Sequence, residues 1–209
     1  MVPATGRYAV QGAQVRAGLE LWARRTGARL VVDDDGSRPE RAARLHAELL
    51  GRGCRFVLGP YGSDSTRAVA RASLGTVVWN HGAAADDVQR LPGVVSLPSP
   101  ASRYLMALGR AVAALRPGAA IAVVAARGPF ARFAREALER EAPSLGLRLA
   151  AFSLRDPPAA IAARPDAVLA CGPHGREVAL FRALARLLPG GPPGRGVARP
   201  GRLSGTARR

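Results

Sequence analysis

Arg55-Phe56-Val57-Leu58-Gly59-Pro60-Tyr61-Gly62-Ser63-Asp64-Ser65-Thr66 passes from an apolar run through a tight turn into a helix start. Arg55 to Leu58 reads as a buried strand, and Gly59 to Gly62 as the turn that ends it. Ser63 or Asp64 then caps a helix running to about Ala72. A strand delivered by a glycine-rich turn into a helix is the building unit of a parallel α/β sheet.

The same unit recurs on both sides. Upstream, a helix over 11–26 places Val15, Leu19 and Trp22 on one face. Leu30-Val31-Val32 is predicted as a strand, ended by the turn Asp33-Asp34-Asp35-Gly36. Ser37 caps a second helix with Pro39 in its first turn and Glu40 three residues after the cap. Downstream, Thr76 to Trp79 and Val94 to Leu97 read as strands around a helical turn at Asp86 to Gln89. A second set follows: helix 101–115, strand 121–125, helix 129–142, strand 147–152, short helix 158–163, strand 167–170 and helix 175–188. Strands separated by such helices predict parallel sheets covered on both faces. The expectation is α/β, with two doubly wound parallel-sheet lobes at 1–99 and 100–188 and a disordered tail at 189–209 rich in Arg, Gly and Pro. In such folds ligands bind outside the carboxyl ends of the strands, beside helix N-termini.

Composition narrows the classes. The 31 cations are all arginine against 15 acids, a net charge of +16, and the chain contains no lysine. Arginine-only usage beside 24 Gly and 17 Pro reads as a coding bias, so no nucleic-acid partner is inferred from charge alone. No apolar run is long enough to span a membrane, and no secretory leader is read at Met1 to Gly6. Cys54 and Cys171 read as two buried thiols rather than a disulfide.

Catalytic motifs are not found. There is no GxSxG, HExxH, GxGxxG or phosphate-loop pattern, and the histidines are His46, His81 and His174. Ser63 reads as a helix cap rather than a nucleophile. Asp33 to Asp35 read as a solvated turn rather than a metal site, and Asp86 and Asp87 as acids complementing a helix N-terminus. No catalytic residue, metal or cofactor is expected. A binding reading fares better: a hydroxyl and free backbone N–H groups before a helix hold a small carboxylate well.

Taken in order, these segments resemble type I periplasmic binding proteins, in particular the branched-chain amino-acid substrate-binding proteins of ABC transporters. The resemblance is carried by Thr5-Gly6, Gln11-Gly12 and Gly18 to Leu21, by Asp34-Asp35 with Pro39, and by Phe56 to Pro60 with Ser63 and Ser65-Thr66. Asn80 to Val88, Ile121 to Val124 with Phe130, and Asp166 to Leu169 with the loop to His174 continue it.

The resemblance implies a clamshell that closes on an amino acid or similar small polar ligand without catalysis, outside the cytoplasmic membrane, with permease subunits as partners. It implies that Ser63 donates to the ligand carboxylate, that Gly82, Ala83 and Ala84 offer backbone contacts, and that Phe130 and His174 close from the second lobe. A ligand-sensing domain of a regulator or receptor is the alternative use of the same fold. Ala84 stands where many members have a hydroxyl, and Gln11 where an aromatic often lines the pocket. Members also begin with an apolar strand before the Thr-Gly and continue beyond Pro189. The resemblance therefore predicts incomplete lobes, with a central strand position of the first sheet left empty.

Overall fold

The computed structural model describes residues 1–73, 75–172 and 174–187; the predicted tail at 189–209 lies outside the described residues. In chain order the elements are α1 (Ala9–Thr26), α2 (Pro39–Gly51), α3 (Ser63–Ala72), β1 (Val78–Asn80), α4 (Asp86–Gln89), β2 (Val94–Ser96), α5 (Ser102–Leu115), β3 (Ala120–Ala125), α6 (Pro129–Glu141), β4 (Arg148–Ser153), α7 (Pro157–Ala162), β5 (Ala167–Cys171) and α8 (His174–Leu187).

The second sheet has the order β4-β3-β5, all parallel. Its central strand is apolar on both faces, and Ile121 to Val124 are fully buried. Ile121 and Val123 pack with Leu105, Ala134 and Leu138 from α5 and α6, while Ala122 and Val124 pack with Ala160, Leu180 and Leu184 from α7 and α8. Each large side chain so buried contributes about 1.5–3 kcal/mol. Cys171 ends β5 in this core, and burial, with Glu177 nearby, pushes its thiol up to about 12.

The first sheet is built from shorter pieces. β1 and β2 pair in parallel over Val78–Asn80 and Val94–Ser96. The predicted strand at Arg55 to Leu58 meets β1 through a single bridge, Leu58 to Trp79. The predicted strand at Leu30 to Val32 does not form; the bridge lies further on, at Asp34. The central position is not empty, which corrects the expectation. Val2 is bridged in parallel to Asp34, its N–H donating to the Asp33 carbonyl (3.1 Å) and its carbonyl accepting from Asp35 N–H (3.2 Å). On the other side the Met1 amine donates to the Leu58 carbonyl at 3.2 Å. A strand needs a ladder along its length, and this stub supplies one residue of it.

The core below this sheet is formed by Val57, Val78, Ala42, Leu49, Val69 and Ala70, with α2 and α3 on one face. On the alternate positions Phe56, Val77, Val95 and Leu97 are exposed, Phe56 by 76%. Trp22 on α1 is also exposed, so the apolar face predicted for that helix is only partly covered.

Candidate ligand-binding site

Both sheets reverse direction of strand addition at one point, between segment 1–3 and segment 57–58 in the first and between β3 and β5 in the second. Crevices at such points, beyond the carboxyl ends of the strands, are where open α/β sheets bind ligands.

In the first sheet the crevice is bordered by Thr5 to Tyr8 and Gly59 to Ser63. Gly62, not Ser63, is the N-cap of α3, with φ of +98°, and no side chain caps the helix. Thr66 N–H donates to the Gly62 carbonyl, while the amides of Ser63, Asp64 and Ser65 have no acceptor among the described residues. These are the orphan donors of a helix N-terminus, where the dipole favours an anion. Ser63 Oγ accepts Ala85 N–H at 3.2 Å, which leaves its own hydrogen free to donate.

The loop after β1 is held by Asn80. Its Oδ1 accepts Gly82 N–H (3.2 Å) and Ala83 N–H (2.7 Å), and its Nδ2 donates to the Ala83 carbonyl and Ser96 Oγ. The N–H groups of Gly82 and Ala83 are therefore already taken by a short polar side chain and are not open donors. The Gly82 carbonyl accepts Gly62 N–H, and the Ala84 carbonyl accepts Ala101 N–H. Of the three loop residues, Ala84 keeps an N–H with no partner among the described residues.

Aromatic rings close the crevice. Tyr8 and Tyr61 meet at 5.3 Å between centroids with their planes tilted by 59°, and Tyr61 lies 6.4 Å from the His81 ring. The Arg7 guanidinium sits 4.9 Å over Tyr8. The rings fit because Gly62 and Gly82 carry no side chain: a Cβ on Gly62 would stand 2.8 Å from Tyr8, and one on Gly82 would collide with Tyr61. Burial, with the Tyr8 and Tyr104 hydroxyls nearby, pushes the Tyr61 phenol up. Burial holds the His81 imidazole down to about 4, and neither ring nitrogen has a hydrogen-bond partner among the described residues.

α5 and α6 join this crevice to the second sheet. Phe130, in the first turn of α6, meets Tyr104 edge-on at 5.3 Å. Phe133 packs against the buried cluster of Ala83, Ala85 and Val88. His174 opens α8 after β5; its side chain lies outside the described residues. The structure thus brings Ser63, Gly82, Ala83 and Ala84 into one site and places Phe130 on the helix that packs against it. Cavities of about 610 and 210 Å³ open at the strand ends of the second sheet rather than at Ser63. Sequence reasoning missed Tyr8, Tyr61 and Tyr104. Tyr61 carried a readable signal, an aromatic inside a strand-to-helix turn between two glycines.

Several of the remaining polar groups make structural bonds, although Asp35 Oδ2, His46 Nε2 and Asp87 Oδ1 are buried without a partner among the described residues. Asp34 accepts from Thr5 N–H, Thr5 Oγ1 and Gly36 N–H, and Asp33 pairs with Arg52. Ser37, expected as a cap, instead accepts Tyr8 N–H and donates to the Thr5 carbonyl, while Arg38 takes the N-cap position of α2. Asp86 accepts Ser102 N–H, and Asp87 pairs with Arg67 at 2.7 Å. His46 is buried in α2 with Nδ1 on Ser73 Oγ at 2.8 Å.

Comparison with known proteins agrees with this topology. A solute-binding protein of an ABC transporter from Rhodopseudomonas palustris BisB5, in complex with 3,4-dihydroxybenzoic acid, superposes with a TM-score of 0.75 at 17% identity, over 89% of this chain and 56% of that one. An R. palustris solute-binding protein in complex with benzoate gives 0.72 at 18%, over 88% and 57%. A branched-chain amino-acid ABC transporter protein from Thermus thermophilus with bound valine gives 0.72 at 20%, over 89% and 55%. The chain therefore spans somewhat more than half the length of these structures. No curated protein matches the chain. The family model described as periplasmic binding protein matches residues 1–187. With that match over most of its length and with the strand order and helix placement above, the chain belongs to the periplasmic binding protein family.

Proposed function

We propose that the chain is the ligand-binding body of an ABC-transporter solute-binding protein that takes an amino acid or a similar small polar acid between lobes at 1–99 and 100–188. It carries out no chemistry on the ligand, works outside the cytoplasmic membrane and passes its cargo to permease subunits. One observation carries this reading: the unpaired amides of the first turn of α3, the free hydroxyl hydrogen of Ser63 and the unpaired Ala84 N–H stand at the switch point of the first sheet. Donors in that arrangement bind a carboxylate. Valine, benzoate and 3,4-dihydroxybenzoic acid, the ligands of the three related structures, share a carboxylate, which two of them carry on an aromatic ring and the third on an aliphatic amino acid.

In this reading Tyr8 and Tyr61 receive the apolar part of the ligand. Phe130 and His174 close over it, and closure follows from contacts made only in the closed form. Calorimetry with matched pairs tests it. Leucine against leucinamide and benzoate against benzamide should each show the acid bound at least tenfold more tightly. Equal binding of acid and amide would contradict the reading.

A further inference from the structure

We infer that the strand ends of the second sheet hold a second anionic group, so that the ligand is acidic at both ends, as a dicarboxylate is. This rests on the reading that the ligand lies at the strand ends, and it adds a charge requirement which that reading does not contain.

Three arginines reach one place from three different connections. Arg127 follows β3, Arg155 follows β4 and Arg176 stands in the first turn of α8 after β5. With Ser153, Ala126 and Leu154 they line the cavity of about 210 Å³. Among the described residues none of the three has an ion-pair partner, as is true of most arginines in a chain with 31 arginines and 15 acids; what sets these three apart is that they line one cavity. The acids adjacent in sequence are directed elsewhere. Asp156 accepts Ala159 N–H at 3.4 Å, and Glu177 accepts Gly172 N–H at 2.6 Å.

Ser153 Oγ accepts Arg155 N–H at 3.2 Å, so its hydroxyl hydrogen is available to a ligand. Arg127 and Ser153 also line the neighbouring cavity of about 610 Å³, behind which α6 begins at Pro129 with no acid in its first turn and no side-chain cap. Arg127, Arg155 and Arg176 are exposed, so solvent screens their mutual repulsion, and an anion in the cavity they share meets positive charge from three connections. The planar fork of arginine matches a carboxylate in paired hydrogen bonds. In this proposal one carboxylate of the ligand lies at Ser63 and the other at the arginine cavity, whose lining comes from the second sheet alone.

The test is calorimetry on the full chain with adipate against hexanoate and terephthalate against benzoate. Wild-type protein should bind each diacid at least tenfold more tightly than its monoacid. The R127Q/R155Q variant should lose that preference and keep monoacid affinity within about twofold, with an unchanged melting temperature as the check on folding. Equal affinities in the wild type, or a preference that survives in the variant, would overturn the inference. Inorganic phosphate binding as tightly as the diacids would overturn the dicarboxylate assignment in favour of a phosphate site. Diacid binding that Ser63→Ala leaves untouched would uphold the arginine site and remove the carboxylate site of the first sheet. Binding of no acid at all would remove both.

Discussion

The two sheets share the order of their first three members and differ in how completely it is built. In the second, β3 is paired along its length on both sides and buried on both faces. In the first, the central member is the stub around Val2, its neighbours are bridges, and Phe56, Val77, Val95 and Leu97 stand exposed on one face. The difference teaches that loop placement at the strand ends survives a thin ladder. Gly59 to Ser63 and Asn80 to Ala85 are held chiefly by side-chain and cap interactions, notably those of Asn80, Thr66 and Ser63. Sheet completeness sets stability, whereas these local bonds set the geometry of the site.

Breaking the better-built half should have the largest effect. Leu138→Ala removes a fully buried side chain from the core beneath β3 and should cost about 3 kcal/mol in denaturant unfolding. Phe56→Ala on the exposed face of the first sheet should change stability by no more than about 0.5 kcal/mol.

The next effect concerns pH. His81 is neutral in the folded protein down to about pH 4, whereas an unfolded imidazole protonates near 6.5. Between those values the unfolded chain binds the additional proton, so stability falls as pH drops from about 6.5 towards 4, by up to about 3 kcal/mol. His46, also held down by burial, acts in the same direction. His81→Phe should flatten the slope in melting temperature against pH by the His81 share. An unchanged slope would show that the ring is not protected from protonation.

Val2→Ala should cost about 1 kcal/mol, and hydrogen exchange should locate the loss at Asp35 and its neighbours while leaving β3 to β5 unaffected. The smallest expected change in stability comes with Ser63→Ala, under about 1 kcal/mol, accompanied by roughly tenfold weaker carboxylate binding. Together these variants separate the sheet that stabilises from the loops proposed to bind.

Much of the second half was legible in the sequence. β3 is a continuous apolar run flanked by Gly118 and Gly128, so its limits follow from composition, and α6 to α8 begin within a residue of their predicted starts. Leu30 to Val32 and Arg55 to Leu58 carry the same apolar signal, yet neither forms a strand, because strand formation depends on a partner of matching length that a local window does not contain. The site was legible as far as its loops, since glycine-rich turns between apolar runs and helices mark strand ends. The donor count was not: Asn80 binds the amides of residues two and three places further on, and that choice depends on the loop's final shape. The Tyr8, Tyr61 and His81 contact joins three separate loops, so no single stretch of sequence announces it.

Amide hydrogen exchange over the whole chain, with and without a bound carboxylate, tests most directly the claim that a ligand is held between the strand ends of both sheets. The account predicts added protection at Ser63 to Ser65 and Ala84 and, in the same sample, at Phe130 and Ala131 in the first turn of α6. Protection confined to one sheet's loops, with the other unchanged at saturating ligand, would contradict it.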